Sequence, residues 1–362
     1  MEKLEFQGIR DYRQETVQRI NLNYRLFLER SQMNRYGEFA KKLNFPEGLR
    51  SYIRLIFDIE EVQILLEIAD SKKSPGKISE TTGLRVDKVK KILDSLFFRG
   101  YVDRWKIRNT FHYEAEDFKV ILYQFIQEKF DKLTPEQRKP FQEAFMNRYL
   151  KLFEASLHPV FKVVPAEEAL KNFLSHLIIP YTKASEIIAE AKKVVVIDCI
   201  CRKTMRRFDK PVNVCLVLGD STEFYRKRNL GRELTQEEAQ EILKLASRNG
   251  LIHTVDNPAM QYPTHVMCNC DDKACAYIRG LKDFGKQKAI TCSGYLSVTN
   301  FSVCKHCGKC VDVCIFEARK LDNQQLKFNM DKCFGCGLCV LNCPEEAIKI
   351  IPDAKDRILK MA

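Results

Sequence analysis

Cys304-Lys-His-Cys307-Gly-Lys-Cys310-Val-Asp-Val-Cys314 and, 29 residues further on, Cys333-Phe-Gly-Cys336-Gly-Leu-Cys339-Val-Leu-Asn-Cys343-Pro344 set eight of the fifteen cysteines into two copies of one spacing. Three thiolates so spaced wrap one iron–sulfur cubane on a tight loop. The fourth, three residues on and opening a helix, points away and ligates the neighbouring cluster. The spacing therefore assigns Cys304, Cys307, Cys310 and Cys343 to one 4Fe-4S cluster, and Cys333, Cys336, Cys339 and Cys314 to a second. Zinc or disulfides are the competing uses of cysteine. Each run, however, carries four thiols within eleven residues, twice what one half of a zinc ribbon supplies.

The same offset carries Glu317 to Glu346 and Ala318 to Ala347, so the stretch is an internal repeat. Over roughly residues 300–352 it resembles the bacterial-type two-cluster ferredoxins, which implies a pseudo-two-fold pair of half-domains around two cubanes. One departure stands out: Ile315 follows the fourth cysteine of the first copy, where the second copy has Pro344.

At 362 residues the chain has room for two or three domains beyond a minimal ferredoxin. All cysteines lie after residue 198, which leaves a thiol-free first half. Met1-Glu-Lys-Leu-Glu has no apolar stretch behind it, and no window approaches the roughly 20 apolar residues of a membrane span. The expectation is a reducing cytoplasm, where thiolates stay free for metal. The formal charge of +12 falls to about +8 once each oxidised cubane with its thiolates is counted at about −2. What remains is uneven, because residues 71–110 hold eleven Lys or Arg against four acids.

Just before and within that segment the apolar residues repeat at helical spacing: Ile59, Val62, Leu65, Leu66 and Ala69, then Val86, Val89, Ile92, Leu93 and Leu96. A short helix from Ile78, stopped by Gly83, is expected between them after a Ser74-Pro-Gly break. Two alternating runs around Asn109 follow. Three helices and a hairpin resemble a winged helix-turn-helix over about residues 52–116. That resemblance makes the segment from Arg85 a recognition helix, with Arg85, Lys88 and Lys91 facing outward to phosphates or base edges. DNA binding through 71–110 is then one reading; a solvated face used for packing or partner contacts is the other. Phe145, Tyr149 and Phe153 read as core rather than as a cofactor box.

A second group of thiols precedes the repeat. Val194-Val-Val-Ile-Asp is a buried-strand pattern that delivers Cys199-Ile-Cys201-Arg202. Val212-Asn-Val-Cys215 repeats the device, so that two strands end near thiols. A helix opened by the Thr235/Glu238 capping box and closed at Asn249-Gly250 leads to a strand at Leu251-Ile-His-Thr-Val, and then to Cys268-Asn-Cys270 and Cys275. This order resembles a group of larger iron–sulfur proteins of anaerobes, whose second element is usually richer in cysteine. Cys199, Cys201, Cys215, Cys268, Cys270 and Cys275 are candidates for an additional site, a third iron–sulfur cluster or zinc. A minimal set is Cys199, Cys201, Cys215 and one of Cys268 or Cys270. Ordinary buried cysteines are the alternative. Cys292 reads as buried. Arg202, His265 and His306 adjoin the ligand loops and are expected to donate hydrogen bonds to them.

No nucleotide-binding glycine motif and no catalytic triad or carboxylate pair is legible. The expected fold is α+β: a helical and winged-helix-like region at 1–118, a helical connector at 119–190, a small cysteine-rich α/β domain at 191–290 and a dicluster domain at 291–362. The expected function is single-electron transfer to a redox partner protein, with a redox-sensing DNA-binding regulator as the alternative.

Overall fold

Asp58 stands just ahead of an apolar run and caps it: Glu61 N–H donates to Asp58 Oδ1 at 2.8 Å and Asp58 N–H to Glu61 Oε2 at 3.0 Å. This reciprocal pair opens α1, Ile59–Glu67. The Ser74-Pro75-Gly76 segment is the start of the next helix, not a break. Ser74 caps α2, Pro75–Thr82, with Pro at its first turn, where a missing N–H costs nothing. Gly83, at φ +72°, ends it. Then come α3, Val86–Phe98, and a hairpin of β1, Val102–Ile107, and β2, Thr110–Ala115. The register Ile107↔Thr110 leaves a two-residue turn, Arg108 and Asn109, both at positive φ, the twist that suits a tight hairpin. Val62, Leu65, Ile78, Val89, Leu93 and Leu96 are fully buried.

The computed structural model describes residues 33–170, 183–258 and 263–353. The helical readings of residues 1–32 and 171–182 lie outside them. The chain divides into two units, Met1–Phe125 and Ile126–Ala362, and the division falls within the helix Phe118–Lys129. Helix and strand mix in both, as an α+β chain requires. Among the described residues no helix is long and apolar enough to cross a membrane.

In the second unit, α4, Pro135–Ala155, buries Phe145, Tyr149 and Phe153 as core. Behind it lies a seven-stranded sheet. Its strands are β3, Phe161–Val164; β4, Val194–Asp198; β5, Asn213–Leu218; β6, Arg232–Leu234; β7, Ile252–Asp256; β8, Val266–Cys270; and β9, Ile290–Thr291. The order is β6-β4-β5-β8-β7-β3-β9, and every pairing is antiparallel except β3 with β9. The strands of the cysteine-rich region pair antiparallel. The helical connector expected at 119–190 is not purely helical, since β3 supplies a strand to the same sheet. Leu216, Leu218, Val255 and Met267 turn one face toward α5, Ala184–Ala191, and α7, Gln236–Arg248. Alternation sends Cys215, Cys268 and Cys270 to the other face. Between β4 and β5 runs α6, Ile200–Met205, and after β8 runs α8, Ala276–Lys282.

The tail repeats itself in backbone as well as in sequence. It comprises β10, Tyr295–Thr299; α9, Lys309–Asp312; β11, Arg319–Asp322; β12, Gln325–Phe328; α10, Leu338–Leu341; and β13, Ile348–Pro352. The 29-residue offset maps α9 onto α10, β10 onto β12 and β11 onto β13, while the pairs formed are β10·β13 and β11·β12. Positive φ recurs at matching positions: His306 and Gly335, Gly308 and Gly337, Glu317 and Glu346.

Candidate metal centres

Four-residue helices and two-stranded ladders make a thin scaffold, and its thiols gather inside it. Cys304, Cys307, Cys310 and Cys343 line one cavity together with Gly308, Leu326 and Ile348. Cys314, Cys333, Cys336 and Cys339 line a second with Phe316, Phe334 and Arg319. In each, the fourth thiol comes from the other copy of the repeat. Among the described residues no three His, Cys, Asp or Glu are spaced around a single ion. The tail thiols surround cavities instead, which fits a four-iron cluster that takes one thiolate on each iron.

Backbone N–H groups aim at the sulfurs: His306 N–H to Cys304 Sγ at 3.4 Å and Ala347 N–H to Cys343 Sγ at 3.3 Å. Gly335 must be glycine, for it sits at φ +65° and a Cβ there would lie 2.3 Å from both Ser293 Oγ and the Tyr295 carbonyl oxygen. In the first copy His306 takes the same position. Its ring Nδ1 accepts the Leu326 N–H at 2.9 Å, which puts the ring proton on Nε2. The His265 backbone N–H donates to the Asp256 carboxylate at 3.1 Å.

Sequence reasoning missed Arg319. Its guanidinium is 1% exposed and donates to Thr299 Oγ1 at 2.8 Å and Ser297 Oγ at 2.9 Å. Burial pushes the Cys310 and Cys339 thiols up, and the Arg319 charge draws both back down. One cation thus acts on a thiol of each set. A lone Arg after Glu-Ala carries no local signal of this. Ile315, where the second copy has proline, packs against the core of Cys292, Phe316 and Phe334. Its carbonyl accepts from Lys282 Nζ at 2.7 Å.

All six middle cysteines come together. Cys199 precedes α6 and Cys275 precedes α8. Cys215 lies inside β5 rather than at its end; the antiparallel pairing Ile197↔Cys215 nonetheless sets it beside the end of β4. Leu216↔Met267 then brings Cys215 alongside Cys268. The contacts close a ring: 199 to 201, 201 to 275, 275 to 270, 270 to 268, 268 to 215 and 215 to 199. Cys275 Sγ lies 3.2 Å from Cys270 Sγ. Hydrogen bonds from Cys201 and Cys215 hold Cys199 well below the usual thiol range, and those from Cys268 and Cys275 bring Cys270 down to about 5. Five of the six are buried and Cys268 is partly exposed.

Residues 303–350 match the family described as the 4Fe-4S dicluster domain. No curated protein matches the chain. The tail is accordingly an iron–sulfur dicluster domain of the electron-transfer kind.

Proposed function

We propose that the chain carries single electrons through two 4Fe-4S clusters between a donor and an acceptor protein, in a reducing cytoplasm and with an anaerobic redox enzyme as partner. The observation that carries this is the pair of cavities, each lined by four thiols and each completed by a thiol from the other half of the repeat. A bound cluster supplies a one-electron couple. Cys304, Cys307, Cys310 and Cys343 would hold one, and Cys333, Cys336, Cys339 and Cys314 the other. Phe316 and Phe334, stacked at 4.0 Å, keep water from the second, and Arg319 offsets part of the added negative charge on both. Purified anaerobically and reduced with dithionite, the full chain is expected to hold about eight irons with as many sulfides and to give the EPR signal of reduced cubanes. Fewer than about seven irons, or no such signal, rejects the proposal.

A second reading has its own support. Of the basic residues at 71–110, Lys73, Lys77, Arg85, Lys88, Arg99 and Arg104 are held in ion pairs. Lys90 and Lys91 on α3 and Lys106 and Arg108 at the hairpin tip have no ion-pair partner among the described residues. A winged-helix DNA reader would use such a set on phosphates. Gel shifts at several salt concentrations test it. A regulator loses affinity by about tenfold or more when these four become Gln, and its binding responds to reduction of the clusters. A shallow salt slope with no redox response leaves this unit as a packing or partner-binding module.

A further inference from the structure

Six thiols drawn from four parts of the second unit meet in one ring, and a buried arginine faces them with donors to spare. Arg202 is 1% exposed. Its Nη1 donates to the Asn269 carbonyl oxygen at 2.9 Å and stands 3.4 Å from Asp271 Oδ2, while Nε and Nη2 have no partner. Asp271 is itself engaged, for its Oδ1 accepts from Lys273 N–H at 2.8 Å and Ala274 N–H at 2.7 Å. A guanidinium sealed in this way calls for more anion than one shared carboxylate provides.

We propose that Cys199, Cys201, Cys215, Cys268, Cys270 and Cys275 together ligate one polynuclear metal centre through their thiolates, with Arg202 as its buried counter-charge. The argument is one of counting. A single tetrahedral ion takes four thiolates and would strand two members of a ring in which all six touch. Two tetrahedral ions sharing an edge take six. Two divalent ions with six thiolates carry about −2, the anion that the free Nε–H and Nη2–H groups lack. In the metal-free ring Cys199 and Cys270 accept from their neighbours; loading exchanges these S–H···S contacts for metal–sulfur bonds and sends the remaining thiol protons to solvent. Cys270 and Cys275 share one apolar cluster with Phe334, Leu338 and the half-buried Cys336, so the centre borders the second set of tail thiols without depending on it.

The full chain, grown with iron and separately with zinc, is purified anaerobically for metal and sulfide analysis. Two or more ions per chain are expected beyond the about eight irons of the tail, with all of the surplus lost in Cys199→Ser/Cys201→Ser and the tail EPR signal retained. Surplus metal without sulfide identifies the two-ion thiolate centre; surplus iron with matching sulfide identifies a cluster on four of the six thiols and overturns the six-thiolate proposal. One surplus ion, none, or a surplus that the double variant keeps overturns the proposal, and because the tail irons are counted separately this failure is distinct from loss of the dicluster function. Should the double variant not fold, alkylation of the wild-type chain in mild urea decides: labelling of the six cysteines that rises on adding a chelator supports the centre, and labelling indifferent to the chelator rejects it. Arg202→Met is expected to weaken metal retention against a competing chelator at least tenfold, with Arg202→Lys recovering part of that. Retention unchanged in Arg202→Met removes the counter-charge role.

Discussion

Arg319 sets the electrostatics of the tail more than any other single side chain, since its charge reaches Cys310 of one thiol set and Cys339 of the other. At an effective dielectric near 20, a unit charge about 4–8 Å from a cluster is worth about 2–4 kcal/mol, which is roughly 90–170 mV for a one-electron couple. Arg319→Gln is therefore expected to lower both midpoint potentials by about that much in an EPR-monitored redox titration, with Arg319→Lys close to wild type. Unchanged potentials in Arg319→Gln would mean that the charge is screened. His253 governs a different property. Its Nδ1 lies 2.6 Å from Asn269 Oδ1, and its Nε2 lies 2.8 Å from Ser247 Oγ. Asn269 Oδ1 can only accept, so the imidazole carries a proton on Nδ1. Burial holds its pKa below the usual histidine value, although the bond to Asn269 opposes this. The unfolded chain takes up a proton as pH falls through about 6.5 while the native one does not, so stability drops below that pH at up to about 1.4 kcal/mol per unit. His253→Gln should flatten this slope in urea melts between pH 7.5 and 5. An equal slope in the variant assigns the acid sensitivity elsewhere.

The elements of the tail are too short to stand alone: α9 and α10 have four residues each, and both ladders have two strands. Under the proposed function their order would follow from crossed ligands, each half lending its last cysteine to its twin, as the lining of the two cavities suggests. Cys343→Ser should therefore erase the same EPR signal as Cys307→Ser, and Cys314→Ser the same as Cys336→Ser, each with the loss of up to about four irons. Pairing by sequence copy instead, with Cys343→Ser matching Cys336→Ser, would disprove the crossing. The grouping of Cys343 with the first run and Cys314 with the second was legible in the sequence, as were the capping box at Thr235, the helix end at Gly250 and the buried Phe145-Tyr149-Phe153 face, because spacing, caps and periodicity are local. Strand β3 was not: four residues, Phe161-Lys-Val-Val, carry too little alternation to separate a strand from a helical turn, and only pairing with β7 and β9 defines it. The ring of six thiols was half legible. Sequence gave the residue types, but the meeting of Cys215 with Cys199 and Cys268 depends on antiparallel pairing across strands far apart in the chain.

Across the whole molecule, the two units differ in what makes them stable. Met1–Phe125 carries an apolar core of its own, with Phe39, Phe57, Phe97 and Tyr101 fully buried, and has no cysteine. Ile126–Ala362 holds all fifteen, and its tail wraps thiols around cavities rather than around side chains. Metal binding and folding are the same free energy where no preformed site survives unfolding. The single tryptophan, Trp105, lies in the first unit under Lys72 Nζ at 3.7 Å from the ring centroid, while any cluster absorbance belongs to the second. Heating the anaerobic holoprotein should therefore give two distinct transitions, one in Trp105 fluorescence and one in the visible charge-transfer band. Stripping the iron is expected to lower the second unit's melting temperature by about 10 °C or more, read by far-UV circular dichroism, and to leave the Trp105 transition within about 2 °C. A common shift of both signals on iron removal would mean that the two units unfold as one cooperative body, and that the energy of the metal sites is felt as far as α3 and the hairpin.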